Sequence, residues 1–431
     1  MKEALKKIVP KWAINFYHWT LANLGALIYG FPSDKLIIIG VTGTKGKSTS
    51  SYLIAKFLEK AGFKVGLTST IIFKINEKEW LNDKKMTMLG RFKLQRLLRD
   101  MVRAGCKYAV VETSSEGIAQ YRHAGINYDV LLFTNLSPEH IESHGSYDKY
   151  KAAKGKLFHE LCYKLRKEIP KTAIVNIDDV EADYFLKFNA NNIGFTLNDS
   201  YKKGLKEIVA AEKIVIKDSG SSFKIGNVEF ETKLLGKFNL YNILGALAAC
   251  KAVGVALADL KEAVAEIVSV PGRMEFINEG QNFEVIVDYA HEPASMKALY
   301  GIVREIPHKR VIHIFGGTGG GRDKARRPIM GEIADQNSQF IVLTNDDPYT
   351  EDQMKIINDI KKGIAKKKDG ESLFVIADRR AAIEKGISVA TAGDVVLITG
   401  KGCEQKMALG DKMIPWDDRE IAREVIAKLK K

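Results

Sequence analysis

The sequence predicts an α/β protein: a central parallel-sheet domain that opens on a phosphate-binding loop and carries a small antiparallel β element, then a C-terminal Rossmann-like α/β domain. Three observations support this. Short apolar strands alternate with helical stretches through most of the 431 residues, the pattern of doubly wound parallel sheets. A glycine-rich turn follows the first of these strands directly. Pro271-Gly272 separates two alternating runs, which places domains at 36–270 and 271–431 behind an apolar helical segment, 1–35.

Composition permits this reading and excludes much else. With 45% apolar and 9% aromatic residues, the chain can bury a full core, which rules out disorder and collagen-like architecture. Lys and Arg number 66 against 53 Asp and Glu, a net +13. That balance favours anionic partners without choosing among phosphates, nucleic acid and a membrane surface. Nucleic acid is disfavoured because no recognition motif and no aromatic–basic interleaving is present. Cys106, Cys162, Cys250 and Cys403 lie far apart with no CxxC pair, so a disulfide framework or structural zinc site is not expected and a reducing, cytoplasmic setting fits.

Taken in order, the run WAINFYHWTLANLGALIYGF between Lys11 and Asp34 carries no charged residue. Asn15, His18, Ala22 and Gly25 share one helical stripe, which leaves a wide apolar face elsewhere. Docking on its own protein and peripheral contact with anionic lipid through residues 12–31 both suit such a helix. A true span does not, because the run is barely long enough and carries polar residues. LIIIGV then reads as a strand, and SSYLIAKFLEKAG as a helix ended by Gly62. KVGLTST, KYAVVET, DVLLFTN and TAIVNI are further buried strands. Alternation between 207 and 234 suggests antiparallel hairpins, followed by the helix NLYNILGALAACKAVG. Beyond Pro271, the runs FEVIVDYA, RVIHIFGG, QFIVLTND, SLFVIAD and DVVLITG make the second sheet.

The strongest chemical signal is Gly40-Val-Thr-Gly-Thr-Lys-Gly-Lys-Ser-Thr49. Its glycines let backbone N–H groups turn toward a phosphate, and the following helix adds its positive end. Lys47 can reach the β- and γ-phosphates and Ser48 can hold Mg²⁺. The first glycine of the usual GxxxxGK[ST] spacing would fall at Val41, and Gly40 and Gly43 flank it instead. Glu112 ends a strand, where a carboxylate can hold Mg²⁺ directly.

This loop resembles the TGTNGKT loop of the Mur ligase family, with Lys45 where asparagine is usual. Further segments resemble the MurE-type branch in order along the chain. Glu112 to Arg122 is similar to ExSSxGLxQxR. Phe133 to Leu136, followed by Glu139, His140 and His144, is similar to FTNLxxDHxxxH, and Tyr150 to Phe158 to YxxAKxxLF. Asn176 with Asp178 and Asp179 matches a family turn, Gly236 to Asn242 resembles GxFNxxN, and Pro271 to Glu275 reads PGRME. Asp288 to Pro293 matches DYAHxP, Gly316 to Pro328 GxGGxRDxxKRP, Asp378 to Arg380 DRR, and Gly400 to Glu404 GKGHE, with Cys403 for histidine.

The resemblance implies an ATP-dependent, ADP-forming ligase. An acceptor carboxylate takes the γ-phosphate to give an acyl phosphate, which the amine of an incoming amino acid then captures. It implies catalytic roles for Lys47, Glu112, His140 and Lys154, with Lys154 as a carbamate. Two magnesium ions would be held with Ser48, Glu112, His140 and that carbamate. ATP would contact Gly43, Thr44, Lys45, Gly46, Lys47, Ser48, Thr49, Asn242, Arg273, Asp288, His291 and Arg322. A muramyl-peptide acceptor would meet Thr87, Ser114, Gln120 and Arg122, and the amino acid Asp346, Asp347, Tyr349, Gly400 and Glu404. The enzyme is expected to be a cytoplasmic monomer whose domains close about residues 268–273.

Three departures refine this. Only some 35 residues precede the first strand, where the branch carries a domain that grips UDP, so the acceptor's carrier, nucleotide or lipid, stays open. The acceptor-side Thr-Thr-Pro run is Thr87-Met88-Leu89. The DNPR motif that reads diaminopimelate is Asp346-Asp-Pro-Tyr349, and tyrosine cannot form the bidentate guanidinium–carboxylate pair. Asp346, Asp347 and Glu404 suit a second amino group, so L-lysine or a similar diamine such as ornithine is expected. Folylpolyglutamate synthase-like, cyanophycin-type and pseudomurein peptide ligases are the alternatives. A non-catalytic ATP-binding subunit is disfavoured because Lys47, Glu112, His140 and Lys154 are all present.

Overall fold

The computed structural model describes residues 9–138, 145–198, 205–217, 219–321 and 324–429. The chain divides into two compact units between Val268 and Ser269.

The first unit is built on a nine-stranded sheet. Strands β1 (Ile37–Thr42), β2 (Val65–Thr68), β3 (Ile72–Ile75), β4 (Lys78–Leu81), β5 (Tyr108–Glu112), β6 (Val130–Phe133), β7 (Thr172–Asn176), β8 (Asn191–Thr196) and β9 (Glu207–Ala210) lie in the order β4-β3-β2-β5-β1-β6-β7-β8-β9. β1 is wholly buried and pairs in parallel with β5 on one side and β6 on the other, Ile39 lying opposite Val110 and Val130. Strands buried on both faces read as continuous apolar runs. The connection from β1 runs to β2 on one side and that from β5 crosses to β6 on the other, so the carboxyl ends of β1, β5 and β6 meet at a topological switch point, the usual ligand position in such sheets.

Two features differ from the expectation. Ile72–Leu81 forms an antiparallel hairpin at one edge of this sheet. At the other edge, β9 joins as a parallel ninth strand instead of entering the antiparallel element. That element comprises β10 (Glu212–Lys217), β11 (Gly220–Ile225) and β12 (Val228–Thr232).

Helix α1 (Lys11–Ile28) packs on α2 (Arg91–Arg103) through its small residues. Ala22 and Ala26 are 1% and 0% exposed, whereas Trp12, Phe16, Trp19 and Leu27 are 72%, 63%, 49% and 60% exposed. The aromatic face therefore points outward. Among the described residues, no helix is long and apolar enough to cross a membrane.

The second unit holds a six-stranded sheet ordered β13-β14-β18-β15-β16-β17, made of β13 (Glu275–Phe276), β14 (Glu284–Asp288), β15 (Val311–Gly317), β16 (Phe340–Asn345), β17 (Leu373–Val375) and β18 (Val395–Thr399). All pairings are parallel except β13 with β14. Its core gathers Val285, Ile312, Val342, Ile383 and Ile398. Strands β19 (Lys406–Leu409) and β20 (Lys412–Pro415) pair as a separate antiparallel hairpin.

Candidate active site

Helix α3 (Lys47–Lys60) starts at Gly46 with no side-chain cap, so its first N–H groups and positive end face the loop. Gly46 has φ +79°, and a Cβ there would lie 2.2 Å from Asn242 Oδ1. The backbone can close over a phosphate only because nothing but hydrogen sits at this position. Gly43 is as constrained, with Thr134 Oγ1 at 1.9 Å from its hypothetical Cβ.

The loop is held from β6 and from helix α4 (Tyr147–Tyr163). Asn135 accepts from Thr44 N (2.8 Å) through its carbonyl and from Lys45 N (2.9 Å) through Oδ1, while Thr134 Oγ1 donates to Lys45 O at 2.7 Å. Tyr150 Oη meets Thr44 Oγ1 at 3.0 Å, and the buried Lys154 Nζ donates to Gly43 O at 2.7 Å. Lys47 Nζ donates to Thr44 O at 2.7 Å. Thr49 is buried in the first turn of α3, and Asn242 packs on Gly46 while accepting from Ser50 Oγ at 3.3 Å.

Glu112, 1% exposed, lies at the carboxyl end of β5. It accepts Ser48 Oγ (2.9 Å) and Thr70 Oγ1 (3.0 Å) on Oε1 and Thr70 N (2.6 Å) on Oε2. Ser48 and Glu112 thus present a hydroxyl and a carboxylate side by side, the hard oxygen donors that Mg²⁺ takes. His140 lies outside the described residues. Thr87 Oγ1 lies 2.9 Å from Thr70 Oγ1, which accepts from it because Thr70's one hydroxyl proton goes to Glu112. Ser114 caps a short helix by accepting Gly117 N at 3.1 Å, and Arg122 grips Gln120 Oε1 (3.1 and 2.7 Å) and Met88 O (2.5 Å). Thr87, expected at the acceptor, and Ser48 and Glu112, expected at the metal, are therefore joined by one hydrogen-bonded chain through Thr70. Sequence reasoning missed Thr70, although the Ser-Thr pair ending β2 beside β5 was the available signal.

In the second unit, Arg273 stacks on Tyr289 at 4.2 Å. Asp288 accepts Met274 N (2.8 Å) and Ala290 N (2.7 Å), and His291 Nδ1 pairs with Tyr289 O at 2.7 Å. Arg322 lies outside the described residues. Asp346, Asp347 and Glu404 converge, but on a residue that had no expected role: Lys401, wholly buried, donates to both Asp347 oxygens (3.0 Å each), to Glu404 Oε2 and to Lys406 O (2.8 Å). Its proton affinity is raised by Glu404, Asp346 and Asp347 against the opposing effect of burial. Burial first and Asp347 next push the Asp346 carboxyl up to about 6. Gly400 packs on Asp346, and Tyr289 Oη donates to Glu404 Oε1 at 3.3 Å. Tyr349 and Arg379 line a cavity of about 520 Å³ with Asn345, Pro348, Asp378 and Met407. Cys403 is buried, and burial raises its thiol to about 11, consistent with a wall residue and not a nucleophile.

Known proteins share this arrangement. The Mur ligase middle domain matches residues 41–250, and the Mur ligase glutamate ligase domain residues 272–402. A UDP-N-acetylmuramoyl-L-alanyl-D-glutamate–2,6-diaminopimelate ligase of Geobacillus thermodenitrificans is 39% identical over 413 residues, covering 94% of this chain and 82% of that protein. A UDP-N-acetylmuramyl-tripeptide synthetase of Roseiflexus is 37% identical over 436 residues, covering 98% and 84%. A solved UDP-N-acetylmuramoyl-L-alanyl-D-glutamate–2,6-diaminopimelate ligase superposes with a TM-score of 0.61 at 30% identity, covering 92% of this chain and 79% of that one. ATP and Mg²⁺ are the family's general cofactors. Aligned along nearly its whole length with such enzymes and matched by both domains in order, the chain belongs to the Mur ligase family, and within it to the MurE-type ATP-dependent, ADP-forming ligases of peptidoglycan synthesis.

Proposed function

We propose that this ligase joins a diamine, L-lysine or a near relative such as ornithine, to the carboxylate of a muramyl-dipeptide acceptor. The observation that carries the reading is the chain Ser48–Glu112–Thr70–Thr87, which ties the phosphate-binding loop to the acceptor side of one crevice. The acceptor carboxylate attacks the γ-phosphate there, and ADP leaves. Lys47 stabilises charge on the transferring phosphoryl group. Mg²⁺, held by Ser48 and Glu112, neutralises phosphate charge when bound. Phosphate leaves after the amine attacks the activated carbonyl.

Lys154 acts as a carbamate toward a second ion in this reading. Support comes from its burial and its position on Gly43 O, where a carboxylate on a long arm reaches the loop. The diamine is supported by Tyr349 at the position where a guanidinium would grip a second carboxylate. It is supported also by three carboxylates around a single internal ammonium, which leave net negative charge. The relatives' names point instead to diaminopimelate, so the amino acid is the feature most exposed to test.

The enzyme works in the cytoplasm, in keeping with its unpaired cysteines, and touches the membrane peripherally through residues 12–31. The outward aromatic face of α1 and the exposed Lys93 and Arg96 on neighbouring α2 support this, because aromatic and basic side chains together favour an anionic lipid surface. ADP release should be measured with nucleotide-linked and lipid-linked muramyl-dipeptide, each offered lysine, ornithine and diaminopimelate. Turnover with lysine or ornithine is expected. A preference for diaminopimelate would overturn the diamine, and no release in any combination would overturn the ligase reading.

A further inference from the structure

Arg91 and Arg122 lie at the acceptor end of the first unit and meet on one residue. Arg91 opens α2, and its Nη2 donates to the Gln120 carbonyl. Arg122 binds the Gln120 side-chain oxygen through Nε and Nη2, and the Met88 carbonyl through Nη1. Neither guanidinium forms an ion pair among the described residues. Elsewhere, arginines of this protein are matched to carboxylates: Arg310 to Asp394, Arg327 to Glu351, Arg379 to Asp418 and Arg419 to Asp417.

Three further observations concern the same spot. Arg91 Nε is buried without a hydrogen-bond partner. Burial holds both guanidiniums below the ordinary arginine range. Arg122 adds to this at Arg91, with Tyr17 opposing, and Glu116 opposes at Arg122. Helix α2 begins here at Gly90 with no side-chain cap, so its positive end adds to the field of the two side chains. Gathering like charges with no directly paired carboxylate costs stability, and an anionic ligand reverses the sign of that cost.

We propose that Arg91 and Arg122 form a phosphoryl-anion subsite that grips the diphosphate joining the acceptor to its carrier. The inference rests on the muramyl-peptide reading above. Two planar guanidiniums suit a diphosphate because the oxygens they now hold, of Gln120 and Met88, are neutral, and charged phosphate oxygens are the stronger acceptors for them. Helix α1 sets the position of the pair. Its Gly25 packs on the Arg91 backbone, a Cβ there lying 3.7 Å from Arg91 O. Ala22 and Ala26 pack on Gly125, just beyond Arg122. Nucleotide-linked and lipid-linked acceptors share the diphosphate, so the chemistry is one and the source is decided by experiment.

The test compares ADP release by the full-length protein, Arg91→Gln and Arg91→Lys with three acceptors: UDP-linked muramyl-dipeptide, its polyprenyl-diphosphate form in micelles, and muramyl-dipeptide lacking the diphosphate. Arg91→Gln should raise the acceptor KM about tenfold or more with the diphosphate acceptor the enzyme uses. The KM values for ATP and amino acid should stay unchanged, and nothing should change with the diphosphate-free acceptor. Arg91→Lys should recover part of the loss. The acceptor on which the loss appears identifies the carrier. An unchanged acceptor KM, or an equal loss without the diphosphate, overturns the subsite. Pyrophosphate titrated calorimetrically into wild-type protein saturated with Mg-ADP should bind, and should compete with the acceptor. Absence of that binding overturns the subsite even where Arg91→Gln fails to fold or no acceptor turns over. Lack of ADP release by wild-type protein with every acceptor is instead a failure of the ligase reading.

Discussion

Ser48 donates its hydroxyl to Glu112 Oε1 at 2.9 Å, across 64 positions of sequence. Parallel pairing of β1 with β5, Val41 opposite Glu112, brings the two together. In the proposed reading their oxygens form the protein's side of a magnesium site; Thr70 holds the carboxylate from the other direction. Glu112→Gln keeps the shape and removes the charge. ADP release should fall by about 10²–10³-fold, and the Mg²⁺ needed for half-maximal rate should rise, with little change in the unfolding midpoint. Unaltered Mg²⁺ dependence would remove Glu112 from the metal.

Lys154 is buried beside the loop, and its proposed carbamate makes the rate depend on dissolved CO₂. Lys154→Ala should lose about a hundredfold in ADP release, and added short-chain carboxylic acids should restore part of it. Depletion of bicarbonate should slow the wild type. Full activity of Lys154→Arg, which cannot form a carbamate, would sink the idea.

Lys401 sits among Asp346, Asp347 and Glu404 with no exposure. Removing one partner from a buried ionic cluster leaves uncompensated charge, so Lys401→Met should destabilise by about 3–5 kcal/mol. Asp346→Asn should be tolerated far better, since Lys401 keeps Asp347 and Glu404 as its partners. Denaturant midpoints of both variants check this ordering.

His313, wholly buried between Tyr300 Oη (2.6 Å) and Thr399 Oγ1 (2.9 Å), is held down to about 3 by burial and then by Arg379. An unfolded histidine titrates near 6.5, about 3.5 units higher. The unfolded chain therefore binds more protons between these values. The contribution is full above about pH 6.5 and is lost as pH falls toward 3, at up to about 1.4 kcal/mol per pH unit. His313→Asn should flatten this acid limb in urea titrations between pH 7 and 4. An equally steep limb would show that other groups govern it.

Trp12, Phe16 and Trp19 form the outward face of α1. Full-length protein should co-sediment with phosphatidylglycerol vesicles, less with phosphatidylcholine and less at high salt. Replacing the three aromatics with serine should abolish the binding while leaving turnover of a water-soluble acceptor intact. Equal sedimentation of the variant would count against the membrane face.

Much of the site was legible because it is written locally. A glycine turn between an apolar strand and a helix needs no distant partner to be recognised, and Glu112 closes its own strand. The alternation of apolar runs likewise revealed both sheets. The periodicity of Glu207–Ala210 could not say which sheet the strand would join, because that depends on pairing with Asn191–Thr196.

Thus the order of strands and helices, the phosphate loop and the family's marked positions follow from short-range chemistry along the chain. Tertiary structure alone decided that Thr70 would link Glu112 to Thr87, and that Lys401 would occupy the carboxylates expected to greet a substrate amine. It also decided that α1 would bury its small residues and expose its aromatics. These depend on which surfaces meet: Ala22, Gly25 and Ala26 allow the close approach to Gly125 and α2 that a bulky ring would block, and close packing selects the face that fits over the face that is most apolar.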